Sequence, residues 1–436
     1  MRRIFAFATA LALLGQPAFA DVFAPITAAE AGFDPARLTR LDGFLNAAVV
    51  EGRMPGFAVL LARHGRLVSL KNYGKKNLET GETIAPDTIF RVASMTKIVT
   101  GVALMMLYEE NKFDLDDPVA KFIPEFAQLK VLTGTGPDGK PVLADPVHPP
   151  TMRELMSHSG GFGYGTSDDP ADKILGAQDA YGAPDLHEFI RRVAKAPLIY
   201  QPGTTWRYSA GADISGYIVE KLSGMRFGDF LQQRLFAPLG MKDTAFYVPR
   251  EKLARLAPVY AGDPATHRFV EVKSSTNPIA LPLVPPTSPP RIDAGGAGLF
   301  STLMDYARFA QMLGNGGEID GVRILAPATV EMMRTNMLPW KALEAGIPRP
   351  PVHFNTSIGF GLDAQVMLDP RAAGSLVGKN TMSWHGAFAG WWWVDPTNDI
   401  VCVGMAQRSG TYPDYVFDDI DQVQKLVYQA LVHPER

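Results

Sequence analysis

The stretch FRVASMTKIVTGVALMMLYEEN runs from Phe90 to Asn111. Its apolar spacing predicts a helix with Val99, Val102 and Met106 on a buried face. Near the front stand Ser94 and Lys97, three residues apart and therefore on one side of the helix. A Ser in this place is a good helix cap. Beside an amine held neutral, however, its hydroxyl can lose a proton and become a nucleophile. The helix N-terminus also aims backbone N–H groups at Ser94, which suits a developing oxyanion. The spacing alone does not choose between cap and nucleophile, so the rest of the chain must.

Two further segments bear on that choice. In TTWRYSAGADISGYIVEKLSG, Tyr208 precedes a helix whose Ile214 and Ile218 point inward. A tyrosine hydroxyl there can share a proton between Ser94 and a leaving group, although an aromatic packed at a helix start reads the same way. In SWHGAFAGWWWVDP, the triplet Trp384-His385-Gly386 is expected at the head of a strand. Gly386 lets backbone approach closely. The N–H of Ala387 can then pair with that of Ser94 as an oxyanion hole.

Farther out, Asp34 and Pro35 read as the cap and first position of a helix continuing through Leu38, Leu41 and Leu45. Two apolar runs around His64-Gly65 predict a hairpin, and so do the runs around Pro396–Asp399. Thr151 and Glu154 fit a capping box. A last helix is expected from about Asp414, with Val416, Ile420, Val423, Val427 and Ala430 on one face. The stretches 133–150 and 277–296 are too rich in Pro and Gly for long regular elements, and such loops often wall a cleft. Strands thus occur at both ends and helices fill the middle. Terminal segments sharing one sheet would bracket an inserted helical region.

Composition narrows the function. The 436 residues carry a net charge of −3, with no basic stripe for nucleic acid. Arg2 and Arg3 precede the apolar run IFAFATALALLG and the small-residue site QPAFA, so residues 1–20 read as a secretory signal peptide. The run falls short of the ~20 residues of a span, and no stable membrane insertion is expected. A periplasmic or secreted location follows. Cys402 is the only cysteine, set in the apolar run DIVCVGMAQ, and reads as a packed strand residue. His158 reads as a hydrogen-bonded structural residue, and no set of histidines has metal spacing.

Ser94-Met-Thr-Lys97, Tyr208-Ser-Ala and Trp384-His-Gly386, in that order, resemble the serine β-lactamase and penicillin-recognising superfamily. The resemblance is strongest to its esterase branch, the family VIII carboxylesterases. The stretches LMSHSGGFGY, GGAGLFSTLMDYARFAQMLGNGGEIDGVRIL and GFGLDAQVMLDP extend it over nearly the whole chain. It implies an α+β, β-lactamase-like fold. A mostly antiparallel sheet would be flanked by N- and C-terminal helices, with an all-helical half inserted. The α/β half would span approximately residues 21–95 and 292–436, and the helical half approximately 96–291. By position, Ser94 would be acylated, and Lys97 with Tyr208 would act as general base and acid. The amides of Ser94 and Ala387 would form the oxyanion hole, and Trp384, His385 and Gly386 would contact substrate. No metal or cofactor is implied. The partner is a small-molecule ester, and nothing in the sequence sets an oligomeric state. The chain has no Gly-x-Ser-x-Gly elbow of the α/β-hydrolases.

The sequence departs from the penicillin-hydrolysing branch at two positions. Where that branch has Tyr-x-Asn, Ala210 stands here, and where it has Lys-Thr-Gly, Trp384 stands. Ala offers no amide to a substrate. Trp removes a cation that would hold a carboxylate, a loss of about 1.5–3 kcal/mol. Both changes point away from anionic amide substrates and toward neutral esters, and short-chain ones are the expectation. His385 replaces a Gly common in the esterase branch; a strand-edge side chain turned away from the site accounts for it better than a substrate contact does. The rival readings are a β-lactamase, D-aminopeptidase or DD-carboxypeptidase-like amidase, an acyltransferase, and a non-catalytic sensor or scaffold.

Overall fold

The computed structural model describes residues 22–273, 283–349, 352–410 and 416–433. The signal-peptide reading of residues 1–20 and the start of the last helix near Asp414 lie outside these residues.

Helix α1 (Pro35–Val50) begins where Asp34 accepts the amides of Ala36 and Arg37, as the Asp-Pro pair requires. Strands β1 (Gly56–Arg63) and β2 (Arg66–Gly74) form a hairpin turned at His64 and Gly65. His64 takes φ +53° there. Every residue of β1 is buried, as befits a strand covered on both faces. Helix α2 (Thr96–Glu109) follows, buried from Thr96 to Leu107. Helix α3 (Met152–Met156) carries the capping box of Thr151 and Glu154. Helix α4 (Gly211–Ser223) packs against α2.

Helix α5 (Leu303–Gly314) leads into the second group of strands. These are β3 (Ile358–Phe360), β4 (Gln365–Met367), β5 (Met382–His385), β6 (Trp391–Asp395) and β7 (Ile400–Met405). With β1 and β2 they form one seven-stranded sheet in the order β3-β4-β5-β6-β7-β1-β2. Each neighbouring pair is antiparallel. The two ends of the chain meet where β1 pairs β7, with Leu61 opposite Cys402. The fold is α+β and β-lactamase-like.

The two faces of the sheet bury different cores. On one face α1 packs with α6 (Val416–Ala430). Leu41, Leu45, Val423 and Val427 meet Phe57, Val59, Trp391, Trp393 and Cys402 there. On the other face α5 covers β6 and β7, over Leu60, Trp392, Val394 and Val403. Strand alternation thus sends Trp391 and Trp393 one way and Trp392 the other. All three are core residues, each at most 2% exposed. Trp340 is 55% exposed on the short helix Trp340–Ala345. The 133–150 stretch holds part of a small hairpin, Val131–Thr135 with Pro141–Ala144.

Candidate active site

The turn that carries Ser94 is built before the helix begins. Ile89–Arg91 pairs antiparallel with Phe300–Thr302, and the amide of Val92 donates to the carbonyl of Leu299 at 3.1 Å. Ala93 then adopts φ +46°, a left-handed conformation that costs a residue with a Cβ about 1–2 kcal/mol. Non-glycine residues held this way cluster at functional sites. The 3₁₀ turn Ala93–Met95 follows and runs straight into α2. The caps of the two segments fall on Val92 and Met95, neither with a side-chain capping bond. Ser94 is therefore not serving as a helix cap; its side chain is half-buried at the N-terminal end of α2.

Lys97 is fully buried beneath it. Its Nζ lies 3.5 Å from Ser94 Oγ and donates to the carbonyl of Gly296 at 2.7 Å. It also sits over the ring of Tyr208, 4.3 Å from the centroid, and 5.5 Å from that of Tyr164. Gly296 reaches this place because it has no side chain. A Cβ there would come within 2.6 Å of Asp213 Oδ2 and 3.0 Å of the Tyr164 hydroxyl. The amide of Gly296 in turn donates to Asp213 Oδ1 at 2.8 Å.

Tyr208 is half-buried and its ring is stacked between Tyr164 at 5.6 Å and Trp206 at 6.0 Å. The indole N–H of Trp384 donates to its hydroxyl at 3.4 Å. Phe354 and Phe360 extend this aromatic cluster against Trp206 and Trp384. Ala210, the position of the missing Asn, is buried and donates its amide to Gly163.

The triplet expected at the head of a strand lies instead at a strand's tail. Trp384 and His385 close β5, and Gly386 begins the tight turn to β6, its amide donating to Gly390 at 2.8 Å. The reason is the glycine pair flanking Ala387, Phe388 and Ala389, which turns the chain before the three tryptophans extend it again. A Cβ on Gly386 would collide with the carbonyl oxygen of Val92. That contact brings the exposed Ala387 segment beside the Ser94 turn. Trp384 is 3% exposed. His385 lies with its ring flat against that of Trp384, centroids 5.0 Å apart. It borders a groove of about 80 Å³ that also involves Ile420 and Gln424 of α6.

Asp213 and Asp363 were missed in the sequence reading. Both are buried, and burial raises both carboxyls above the usual range, while the Lys97 charge opposes that rise. Asp213 also accepts from the Tyr181 hydroxyl at 2.8 Å. Its position five residues after Tyr208, in the first turn of α4, was the available signal. His158 is the hydrogen-bonded residue expected, its Nδ1 2.8 Å from Ser209 Oγ. Its ring also lies 5.2 Å from that of Tyr208, directly behind the site. Among the described residues no cluster of three His, Cys, Asp or Glu side chains is placed to hold a metal ion, and no helix is long and apolar enough to cross a membrane.

The chain belongs to the β-lactamase family, whose profile matches residues 36–426. It is 30% identical to the lovastatin esterase of Penicillium rubens, over 84% of this chain and 92% of that one. It is also 30% identical to Esterase EstB of Burkholderia gladioli, over 82% of this chain and 86% of that one. Among solved structures it resembles EstCE1, described as a hydrolase with promiscuous acyltransferase activity. That likeness has a TM-score of 0.73 and 25% identity, and covers 90% of this chain and 99% of the other. The protein is accordingly a serine hydrolase of the β-lactamase and esterase superfamily.

Proposed function

We propose that the protein is a carboxylesterase that cleaves neutral, short-chain esters through an acyl-enzyme on Ser94. The observation that carries this reading is Trp384. It occupies the place where a lysine would hold a substrate carboxylate, and its buried indole bonds the Tyr208 hydroxyl. A carboxylate arriving there meets an aromatic surface in place of a cation. Its desolvation is then uncompensated, whereas a neutral ester carries no such penalty. The lovastatin esterase and EstB likenesses agree with ester substrates.

In this mechanism Ser94 Oγ attacks the ester carbonyl as its proton passes to the Lys97–Tyr208 pair. The amides of Ser94 and Ala387 receive the oxyanion, and Tyr208 returns a proton to the leaving alkoxide. Water then cleaves the acyl-Ser94 bond, with the same pair taking and returning its proton. The description of EstCE1 favours a second outcome for the acyl-enzyme, transfer to an alcohol in place of water. Residues 1–20 would direct export of the chain to the periplasm or medium, and the mass of the protein recovered outside a bacterial host tests that.

The central test compares wild type and Ser94→Ala on p-nitrophenyl acetate and butyrate, nitrocefin and a D-alanyl dipeptide, with phosphonate labelling followed by mass spectrometry. The expected result is ester turnover well above the other two, lost in Ser94→Ala, with label on Ser94. Equal rates in the variant, or faster turnover of nitrocefin, would reject the reading. Product analysis with added methanol separates hydrolysis from transfer.

A further inference from the structure

The short strand Ile89–Arg91, which leads into the Ser94 turn, is held along both edges. On one edge it pairs with Phe300–Thr302. At Arg91 the other edge is occupied by a side chain. Gln407 Oε1 accepts the Arg91 amide at 3.1 Å, and Gln407 Nε2 donates to the Arg91 carbonyl at 3.0 Å. A primary amide does here what a neighbouring strand would do, because it offers one acceptor and one donor side by side. Both residues are buried, so these backbone groups have no water to replace the bonds. The nearby guanidinium does not explain an amide at this position. Its bonds go to the carbonyls of Ala257 and Leu283, at 2.9 and 2.5 Å, and its Nη1 lies 3.5 Å from Gln407 Oε1.

The same dipeptide fastens the other side of the site. Gln407 lies just past β7, and the amide of Arg408 donates to the carbonyl of Phe388 at 3.1 Å. Phe388 follows Ala387, and its buried side chain packs with Ala93 and Val259. The carbonyl of Gln407 accepts the amide of Tyr260 at 2.9 Å, and Arg408 pairs in parallel with Tyr260. The dipeptide is therefore itself fixed from a third side.

We propose that Gln407 is a positioning residue that sets the separation of the two oxyanion amides. Its side chain holds Arg91, three residues before Ser94. Its chain neighbour Arg408 holds Phe388, one residue after Ala387. Between Arg91 and Ser94 stands Ala93 at φ +46°, a conformation that persists only where the surroundings over-determine it. An oxyanion hole needs both donors about 2.7–3.1 Å from one point. Tying both flanks to one dipeptide meets that tolerance, and it does so from the side opposite the strand of Phe300. The inference rests on the Ser94 acyl-enzyme reading, with Ser94 and Ala387 as the oxyanion donors.

The test is Gln407→Met, which keeps the length and bulk of the side chain and removes both bonds. Gln407→Glu keeps the acceptor and loses the donor. In Gln407→Met, kcat for p-nitrophenyl butyrate should fall about 10–100-fold, as a small misplacement of reacting groups does. KM should stay within about twofold. The Ki of n-butylboronic acid, whose tetrahedral adduct on Ser94 places an oxygen between the two amides, should rise by a similar factor. Gln407→Glu should fall between Gln407→Met and wild type in both measures. A merely structural role lowers the melting temperature and the fraction of sites labelled by a phosphonate. It leaves kcat per labelled site and the boronate Ki unchanged. That result overturns the proposal, as does failure of both variants to fold. Ser94→Ala, run alongside, keeps the two readings apart. If it still turns over ester, the acyl-enzyme reading fails. If it is inactive while Gln407→Met keeps the wild-type kcat per labelled site, only the role of Gln407 fails.

Discussion

Gly386 lies so close to Val92 that no Cβ fits between its α-carbon and the Val92 carbonyl oxygen. This approach sets the end of β5 against the Ser94 turn, and with it the two amides assigned to the oxyanion. Gly386→Ala should part them by a few tenths of an ångström or more. Loss of one oxyanion donor lowers kcat about 10²–10³-fold. The expected signature is that fall in kcat on p-nitrophenyl butyrate with KM little changed. A variant with wild-type kcat would show that the close approach does not serve the chemistry.

Lys97 tests the base. Lys97→Met removes the amine, while Lys97→Arg keeps a cation that does not deprotonate in proteins. Both should lose about 10²–10⁴-fold in the acylation rate measured in a single turnover. If Arg restores activity, charge alone is what the site needs, and proton transfer to Lys97 is wrong.

How much of this was legible in the sequence depends on how local each signal is. The hairpins at His64-Gly65 and Pro396–Asp399, the Asp34 cap and the Thr151 box are written in adjacent residues, and the structure forms each. Ser94, Lys97, Tyr208 and Trp384 were named from three short segments, and the fold brings those segments together. What the sequence hid is tertiary. Asp213 and Asp363 look like ordinary surface-type acids until α2, α4 and the β3–β4 turn converge on Lys97. Gly296 reads as one of several loop glycines until its carbonyl is found on Lys97 Nζ. The strand end at Trp384 was misplaced because the Gly386–Gly390 turn and the strand after it share one apolar run.

Asp172 shows how the loop bearing Tyr164 is held. Its Oδ1 accepts the amides of Tyr164 and Gly165, each at 2.7 Å, and its Oδ2 those of Thr166 and Ser167 at 3.1 and 2.8 Å. Burial alone would raise this carboxyl, but the bonds from Gly165, Ser167 and Tyr164 outweigh it, and it sits below the usual range. A carboxyl depressed in the folded state stabilises above the unfolded value of about 3.9, and that stability is lost as pH falls through the folded value. Asp172→Asn should therefore cost about 1–3 kcal/mol at pH 7, with the gap to wild type narrowing below about pH 4. Urea melts at both pH values measure it. A gap that does not narrow on acidification would mean the amides bind Asn and Asp alike.

Trp384 offers the sharpest test of substrate choice, because its ring and its N–H do different things. The ring packs against Tyr208 and Phe360, and the N–H donates to the Tyr208 hydroxyl. Trp384→Phe keeps most of the apolar surface and deletes the donor. A neutral hydrogen bond is worth about 0.5–1.5 kcal/mol, and at 3.4 Å this one belongs at the lower end. The expected loss in kcat/KM for a neutral ester is thus about 2–5-fold. Because Phe supplies no cation, rates on nitrocefin and on a D-alanyl dipeptide should stay as low as in wild type. Trp384→Lys supplies the cation, but in a site 3% exposed and walled by aromatic rings. An ammonium buried there without a carboxylate partner costs several kcal/mol. It should lower the melting temperature and ester turnover together, and give little gain on nitrocefin. If Trp384→Lys instead folds as well as wild type and hydrolyses nitrocefin efficiently, the indole is only a placeholder, and the preference for neutral esters resides elsewhere in the cleft.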